Sequence, residues 1–226
     1  MPKRPTASPS IAVPPPPFDE AVALAHLRAV DPILSRLITK VGPYRLDRQD
    51  ERPTFQALVR SILHQQVTGK AAEAILARFC ATFGKGAKKT RFPKPELVVT
   101  LSDEQLRSVG ISRSKAAALR DLAAKTLDGT VPEAEALHQL TDDDIFERLT
   151  AVRVIGVWTV HMLLMFRLGR PDILPVGDYG VRKGFAKTFR TKGELPTVAE
   201  LTRRAERWRP YRSVASWYLW RRLELP

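Results

Sequence analysis

The sequence predicts an all-α protein, on three observations. Apolar residues recur at helical spacing along most of the chain. Ser, Thr or Asp heads several of these stretches, where the free amides of a first helical turn need an acceptor. No stretch alternates apolar and polar residues as a half-buried strand would. Seven of the 18 prolines fall in the first 17 residues, so residues 1–18 read as a disordered, Pro-rich tail. Asp19 then caps a helix carrying Ala21, Leu24, Leu27 and Val30 on one face, and residues 31–41 form a second, broken by Gly42 and Pro43. From Thr54, Phe55, Leu58, Val59, Ile62 and Leu63 make one stripe, and Ala71 to Phe83 make another. Residues 84–95, with Lys85, Lys88, Lys89, Arg91 and Lys94, read as a basic loop. Ser102 with Glu104 and Gln105 opens a short helix that Gly110 stops. Residues 112–127 and 141–151 follow, the latter capped by Thr141, with Asp142, Asp143 and Asp144 against the positive end of its dipole. Residues 157–168, 179–190, 197–207 and 211–223 complete a set of about ten helices.

Composition narrows the class of function. The 226 residues carry a formal charge of +13 with 44% hydrophobic residues, enough to build a core, so the chain is not a disordered polycation. Cys80 is the single cysteine, which excludes a disulfide scaffold, a thiolate-ligated iron–sulfur cluster and a Cys-rich zinc site. No apolar run is long enough for a bilayer span, and no signal-peptide segment opens the chain, so the expected protein is soluble and intracellular. The charge is uneven: residues 151–226 hold 15 basic and 6 acidic side chains. Such a concentrated excess is the footprint of a polyanion partner, with a solvated helical face as the plainer reading of any one residue.

Three segments carry candidate chemistry. Residues 141–168 read as helix, four-residue turn, helix, with Gly156 at the turn, and the second helix presents free amides that suit an anion. In ILPVGDYGVRKGF, residues 173–185, Asp178 is a lone carboxylate ahead of Arg182 and Lys183. It is either the cap of a basic helix or a group that stabilises a developing cation or activates water. In FQALVRSILHQQVTGKAA, residues 55–72, His64, Gln65 and Gln66 end an apolar helix. They suit either a hydrophilic terminus or contact with a DNA groove or a gap in a base stack.

Taken together, four ordered blocks resemble one family. SILHQQVTGKAA, VGISRSKAAALRDLA, AVRVIGVWTVHMLLMF with LPVGDYGVRKGF, and RWRPYRSVASWYLWR are similar to the helix-hairpin-helix base-excision DNA glycosylases. The closest likeness is to the AlkA-like, DNA-3-methyladenine glycosylase II branch, over about residues 50–223. The resemblance implies a two-lobed fold with a cleft between the lobes. Residues 19–53 would pack with the C-terminal lobe, residues 54–172 would form the central lobe with the hairpin, and residues 173–226 would supply the catalytic loop and last helices. It implies a monofunctional enzyme that flips alkylated purines, of the 3-methyladenine or 7-methylguanine type, from double-stranded DNA and hydrolyses the N-glycosidic bond.

The resemblance also assigns positions. Asp178 matches the essential aspartate. Trp158 stands where the lyase branch has a nucleophilic lysine, and an indole forms no Schiff base. Trp158, Met162 and Tyr179 would line the base pocket, Trp158 stacking on a cationic purine, while Trp208 and Trp217 suit packing better. Gln66 matches the wedge into the gap left by the flipped base, with His64 and Gln65 beside it. The amides of Val154, Gly156 and Thr159, with Arg153, Arg182, Lys183 and Arg212, would hold DNA phosphates. The carbonyls of Thr150, Val152 and Ile155 would hold Na⁺ or K⁺, with no organic cofactor. Val154 departs from the family's G-x-G turn, and a β-branched residue is costly if that position needs positive φ, so a remodelled turn with a weaker grip is expected. The expected enzyme is a monomer, cytoplasmic and nucleoid-associated in a bacterium or nuclear in a eukaryote. The alternatives are a non-catalytic DNA-binding module and a glycosylase for deaminated or oxidised bases.

Overall fold

The computed structural model describes residues 18–46, 52–84, 91–189 and 194–225. The Pro-rich tail up to residue 17 and Lys85, Lys88 and Lys89 of the basic loop lie outside the described residues. Every regular element among the described residues is helical.

The caps offered by the sequence are used. Asp19 accepts the amides of Ala21 and Val22 at the start of α1 (Glu20–Val30). Asp31 does the same for Ile33 and Leu34 at α2 (Pro32–Val41), with Pro32 at the first helical position, where its missing N–H costs nothing. α3 (Thr54–His64) and α4 (Gly69–Phe83) follow. Next come α5 (Pro95–Val98) and α6 (Asp103–Ser108), the latter closed by a reciprocal Ser102–Gln105 capping box. α7 (Arg113–Leu127), α8 (Ala134–Leu137), α9 (Asp142–Thr150), α10 (Val157–Met162), α11 (Tyr179–Phe189), α12 (Val198–Ala205) and α13 (Arg212–Arg221) complete the chain. α5 and α8 are absent from the sequence prediction because four residues are too short to show a period. The predicted helix 157–168 is instead two pieces: α10 passes into a π-helical turn at Leu163–Arg167.

The described chain forms two compact units that part within that turn. One takes residues 52–164, and the other takes residues up to 51 and from 165 onward. The boundary expected at residue 172 therefore moves to 164. Within the discontinuous unit, Ser213 donates its amide to Pro171 O at 2.8 Å and its hydroxyl to Arg170 O at 2.6 Å, tying residues 170 and 171 to α13.

In the discontinuous unit, Leu27, Leu34 and Ile38 pack with Val181, Phe185, Leu201, Trp208, Trp217, Tyr218 and Leu219. Gly184 is required there: a Cβ would sit 1.9 Å from Leu219 O, so α11 and α13 meet backbone to backbone only without one. Asp31 is fully buried in this unit. It accepts Arg204 Nε and Nη2 at 3.0 and 2.9 Å and Trp208 Nε1 at 3.0 Å. Burial pushes its carboxyl up, but the bonds from Arg204 and Trp208 outweigh that and hold it below its ordinary value of 3.8. In the continuous unit, α3 and α4 bury Phe55, Leu58, Ile62 and Phe79. α7, packed on α3, α5 and α6, buries Ala118, Leu119, Leu122 and Ala123. No helix among the described residues is long and apolar enough to cross a membrane.

Candidate active site

The hairpin lies in the 52–164 unit. The turn between α9 and α10 is six residues, 151–156, rather than four. Ile155 N donates to Val152 O at 3.1 Å, and Gly156 caps α10 with extended backbone and no side-chain acceptor. Val154 adopts φ +61°, the left-handed conformation that L-residues with a branched Cβ resist. The turn is therefore not remodelled around its valine: the backbone keeps a glycine-type conformation and the side chain tolerates it. Val154 remains 45% exposed, so burial does little to offset that cost. The neighbouring amide of Arg153 is bound by Asp121 Oδ2 at 2.7 Å.

The turn after α3 has the same character. Gln66 also adopts left-handed backbone, at φ +57°. Lys115 Nζ donates to Leu63 O at 2.7 Å and Gln65 O at 2.8 Å, satisfying carbonyls that the helix end leaves without amide partners. Burial pulls the Lys115 ammonium below its ordinary value. Of the three residues expected at DNA, Gln66 is exposed. Gln65 instead uses its amide Nε2 on Val154 O at 3.0 Å, and His64 Nε2 pairs with Glu73 Oε1 at 2.9 Å, an oxygen shared with Arg60. The structure thus brings Gln65 and Val154, from two separately predicted motifs, into direct contact.

In the other unit, Asp178 stands at the head of α11. Its Oδ1 accepts Val181 N at 2.7 Å and Trp220 Nε1 at 2.8 Å, and its carbonyl accepts Arg182 N at 3.0 Å. Cap and chemical group are therefore not alternatives, since the capping bonds fix the carboxylate's orientation. Gly180 leaves room for this arrangement: a Cβ would come within 2.8 Å of the Trp220 ring and 3.1 Å of Asp178 Oδ1. Trp220 in turn stacks on Phe166, centroids 5.7 Å apart. The sequence reading missed Trp220 because it lies 42 residues from Asp178, and the block that contains it shows two other tryptophans.

The remaining expected residues divide clearly. Trp158 is 53% exposed and Tyr179 62% exposed, while Met162 is half-buried. Trp208 and Trp217 are core residues. Lys183 Nζ lies 5.5 Å from the Tyr179 ring centroid. Arg153 extends into solvent, whereas Arg182 and Arg212 are committed elsewhere. Arg182 donates twice to Pro196 O, at 3.2 and 2.9 Å. Arg212 is clamped on Asp172 at 2.7 and 3.0 Å. Both guanidiniums thus make bonds within the fold.

Each unit thus carries one candidate element, the oriented carboxylate in one and the hairpin turn in the other. The chain belongs to the HhH-GPD superfamily of base excision DNA repair proteins, whose family model matches residues 59–210. It is 35% identical over 201 residues to DNA-3-methyladenine glycosylase 1 of Schizosaccharomyces pombe, covering 88% of this chain and 86% of that protein. Among solved structures, the S. pombe 3-methyladenine DNA glycosylase in complex with abasic DNA matches with a TM-score of 0.74 and 34% identity, covering 88% of this chain and 95% of that one. A DNA-3-methyladenine glycosidase from Bacillus halodurans matches with a TM-score of 0.77 and 34% identity, covering 88% and 87%. The all-α fold is therefore that of the helix-hairpin-helix glycosylases.

Proposed function

We propose that this protein is a monofunctional DNA glycosylase, acting as a monomer on double-stranded DNA, that excises alkylated purines of the 3-methyladenine or 7-methylguanine type. The observation that carries the reading is Asp178, held by Val181 N and Trp220 Nε1 at the head of α11. A carboxylate fixed in this way is held in one orientation. It stabilises the oxocarbenium-like sugar as the C1′–N bond breaks and directs water to the sugar. The base leaves, and an intact abasic site remains.

The other residues have roles consistent with this. Gln66, exposed on its left-handed turn, enters the gap left by the flipped nucleotide, and flipping costs least where damage has weakened the pair. Trp158 is exposed rather than packed away and offers its face to a purine whose positive charge favours an aromatic ring. Met162, in the same unit as Trp158, is a second base contact in this reading, and Tyr179 is a further candidate. The amides of Val154, Gly156 and Thr159, with Arg153 and Lys183, bind phosphates. Thr150 ends α9 and Val152 follows it, at the partly negative end of that helix, and their carbonyls with that of Ile155 would hold Na⁺ or K⁺. Such an ion would add positive charge beside the phosphate. Trp158 supplies no amine for a Schiff base, which favours hydrolysis over lyase chemistry. The enzyme would work where the genome is, in the nucleoid or the nucleus.

The test is incubation with duplex DNA carrying alkylated purines, measuring free base and strand breaks with and without alkali. Free base with breaks only after alkali is the expected result. Breaks without alkali would identify a lyase, and neither product would identify a DNA-binding module.

A further inference from the structure

Gln66 and Val154 are the two non-glycine residues with left-handed backbone among the described residues. Such conformations persist where surrounding bonds over-determine them. Here two residues of one helix and one residue of the wedge turn supply the bonds. Lys115, on α7, fixes the carbonyls of Leu63 and Gln65 on the approach to Gln66. Asp121, also on α7, fixes the amide of Arg153 ahead of Val154 with Oδ2 while its Oδ1 takes Lys125 Nζ at 2.6 Å. Gln65 closes the triangle through Nε2 to Val154 O at 3.0 Å. Every link ends on backbone, so the links set chain path rather than side-chain identity.

We propose that Lys115, Gln65 and Asp121 are positioning residues that brace the wedge turn and the hairpin turn into one rigid register, so that seating a phosphate on the hairpin drives Gln66 into the base stack. The proposal rests on the reading of Gln66 as the wedge. It reassigns Gln65 from a DNA contact to a strut. A lysine suits the hub because its ammonium has three donors and here holds two carbonyls at once, which an uncharged side chain of similar length cannot do.

The experiment reads one ratio: single-turnover excision of an alkylated purine paired in duplex, divided by excision of the same purine in a bulge with no opposing base. A brace that drives insertion matters for the first substrate more than the second. Lys115→Met and Gln65→Leu are each expected to lower the ratio about tenfold, Lys115→Arg to recover most of the loss, and the double variant to lose little more than either single one. In an Asp178→Asn background, 2-aminopurine beside the lesion reports unstacking without chemistry, and its fluorescence rise is expected to slow in the same order. If Lys115→Met does not fold, as judged by circular dichroism, Gln65→Leu decides alone, since it leaves α3 and α7 intact. An equal slowing of both substrates would make these residues merely structural and overturn the proposal. So would an unchanged ratio in both variants while Gln66→Ala lowers it, a result that leaves the wedge reading standing. If Gln66→Ala leaves both ratio and fluorescence unchanged, the wedge reading fails and the brace falls with it.

Discussion

The heads of α2 and α11 are built alike and used differently. Each begins with an aspartate that caps the helix and accepts an indole N–H: Asp31 from Trp208 at 3.0 Å, Asp178 from Trp220 at 2.8 Å. Asp31 also takes both donors of the Arg204 fork and is fully buried. The donors on Asp178 Oδ1 are neutral N–H groups, and the residue is only half-buried. A carboxylate neutralised by a guanidinium has its charge spent on the fold. Cap geometry therefore does not distinguish a structural from a chemical aspartate; accessibility does, since Asp31 is closed off from solvent and Asp178 is not.

This contrast can be broken in order of expected effect. Asp178→Asn keeps a capping oxygen but removes the charge, and should cut single-turnover base release on the order of 10³-fold, about 4 kcal/mol, with duplex affinity unchanged or higher. Excision at the wild-type rate would remove Asp178 from the chemistry. Asp31→Asn should do the opposite, costing about 3 kcal/mol in urea unfolding by breaking a pair whose carboxylate is fully buried and whose guanidinium is half-buried, while folded protein still excises. The same carboxylate gives a pH signature. Its folded value lies below 3.8, so the stability it contributes is present above that pH and is lost as pH falls through the lower, folded value. Asp31→Asn should flatten that acid limb, and an unaltered limb would assign it to other groups.

Trp220→Phe tests the shared indole. It keeps a ring against Phe166 but removes the donor to Asp178, and should lower kcat about tenfold with KM nearly unchanged. Equal loss in KM would make Trp220 a binding rather than an orienting group. The smallest effect belongs to the hairpin. Val154→Gly relieves left-handed strain worth about 1–2 kcal/mol, part of which returns as entropy of the unfolded chain. A net gain of about 1 kcal/mol is expected, with tighter binding to an abasic-analogue duplex by fluorescence anisotropy. No change in affinity would show that the valine turn already grips DNA as a glycine turn does.

Legibility in the sequence follows range. The capping boxes at Ser102, Thr141 and Thr197 and the stripe from Phe55 to Leu63 are visible because they depend on neighbours three or four residues away. Asp178 stood out as an isolated acid in a basic segment, and Val154 as a β-branched residue in a tight turn. The pairing of Arg212 with Asp172, 40 residues away, left no local trace in the sequence.

By itself, then, the sequence determined the helices, their caps, the family-like blocks and the candidate carboxylate, because hydrogen bonds within a turn and apolar period are local properties of a chain. Only the tertiary structure decided which distant groups meet. Arg204 reaches Asp31 across 173 residues, Trp220 reaches Asp178 across 42, and Gln65 reaches Val154 across 89. Those pairings depend on how helices pack, and packing is set by the whole set of buried faces rather than by any segment alone.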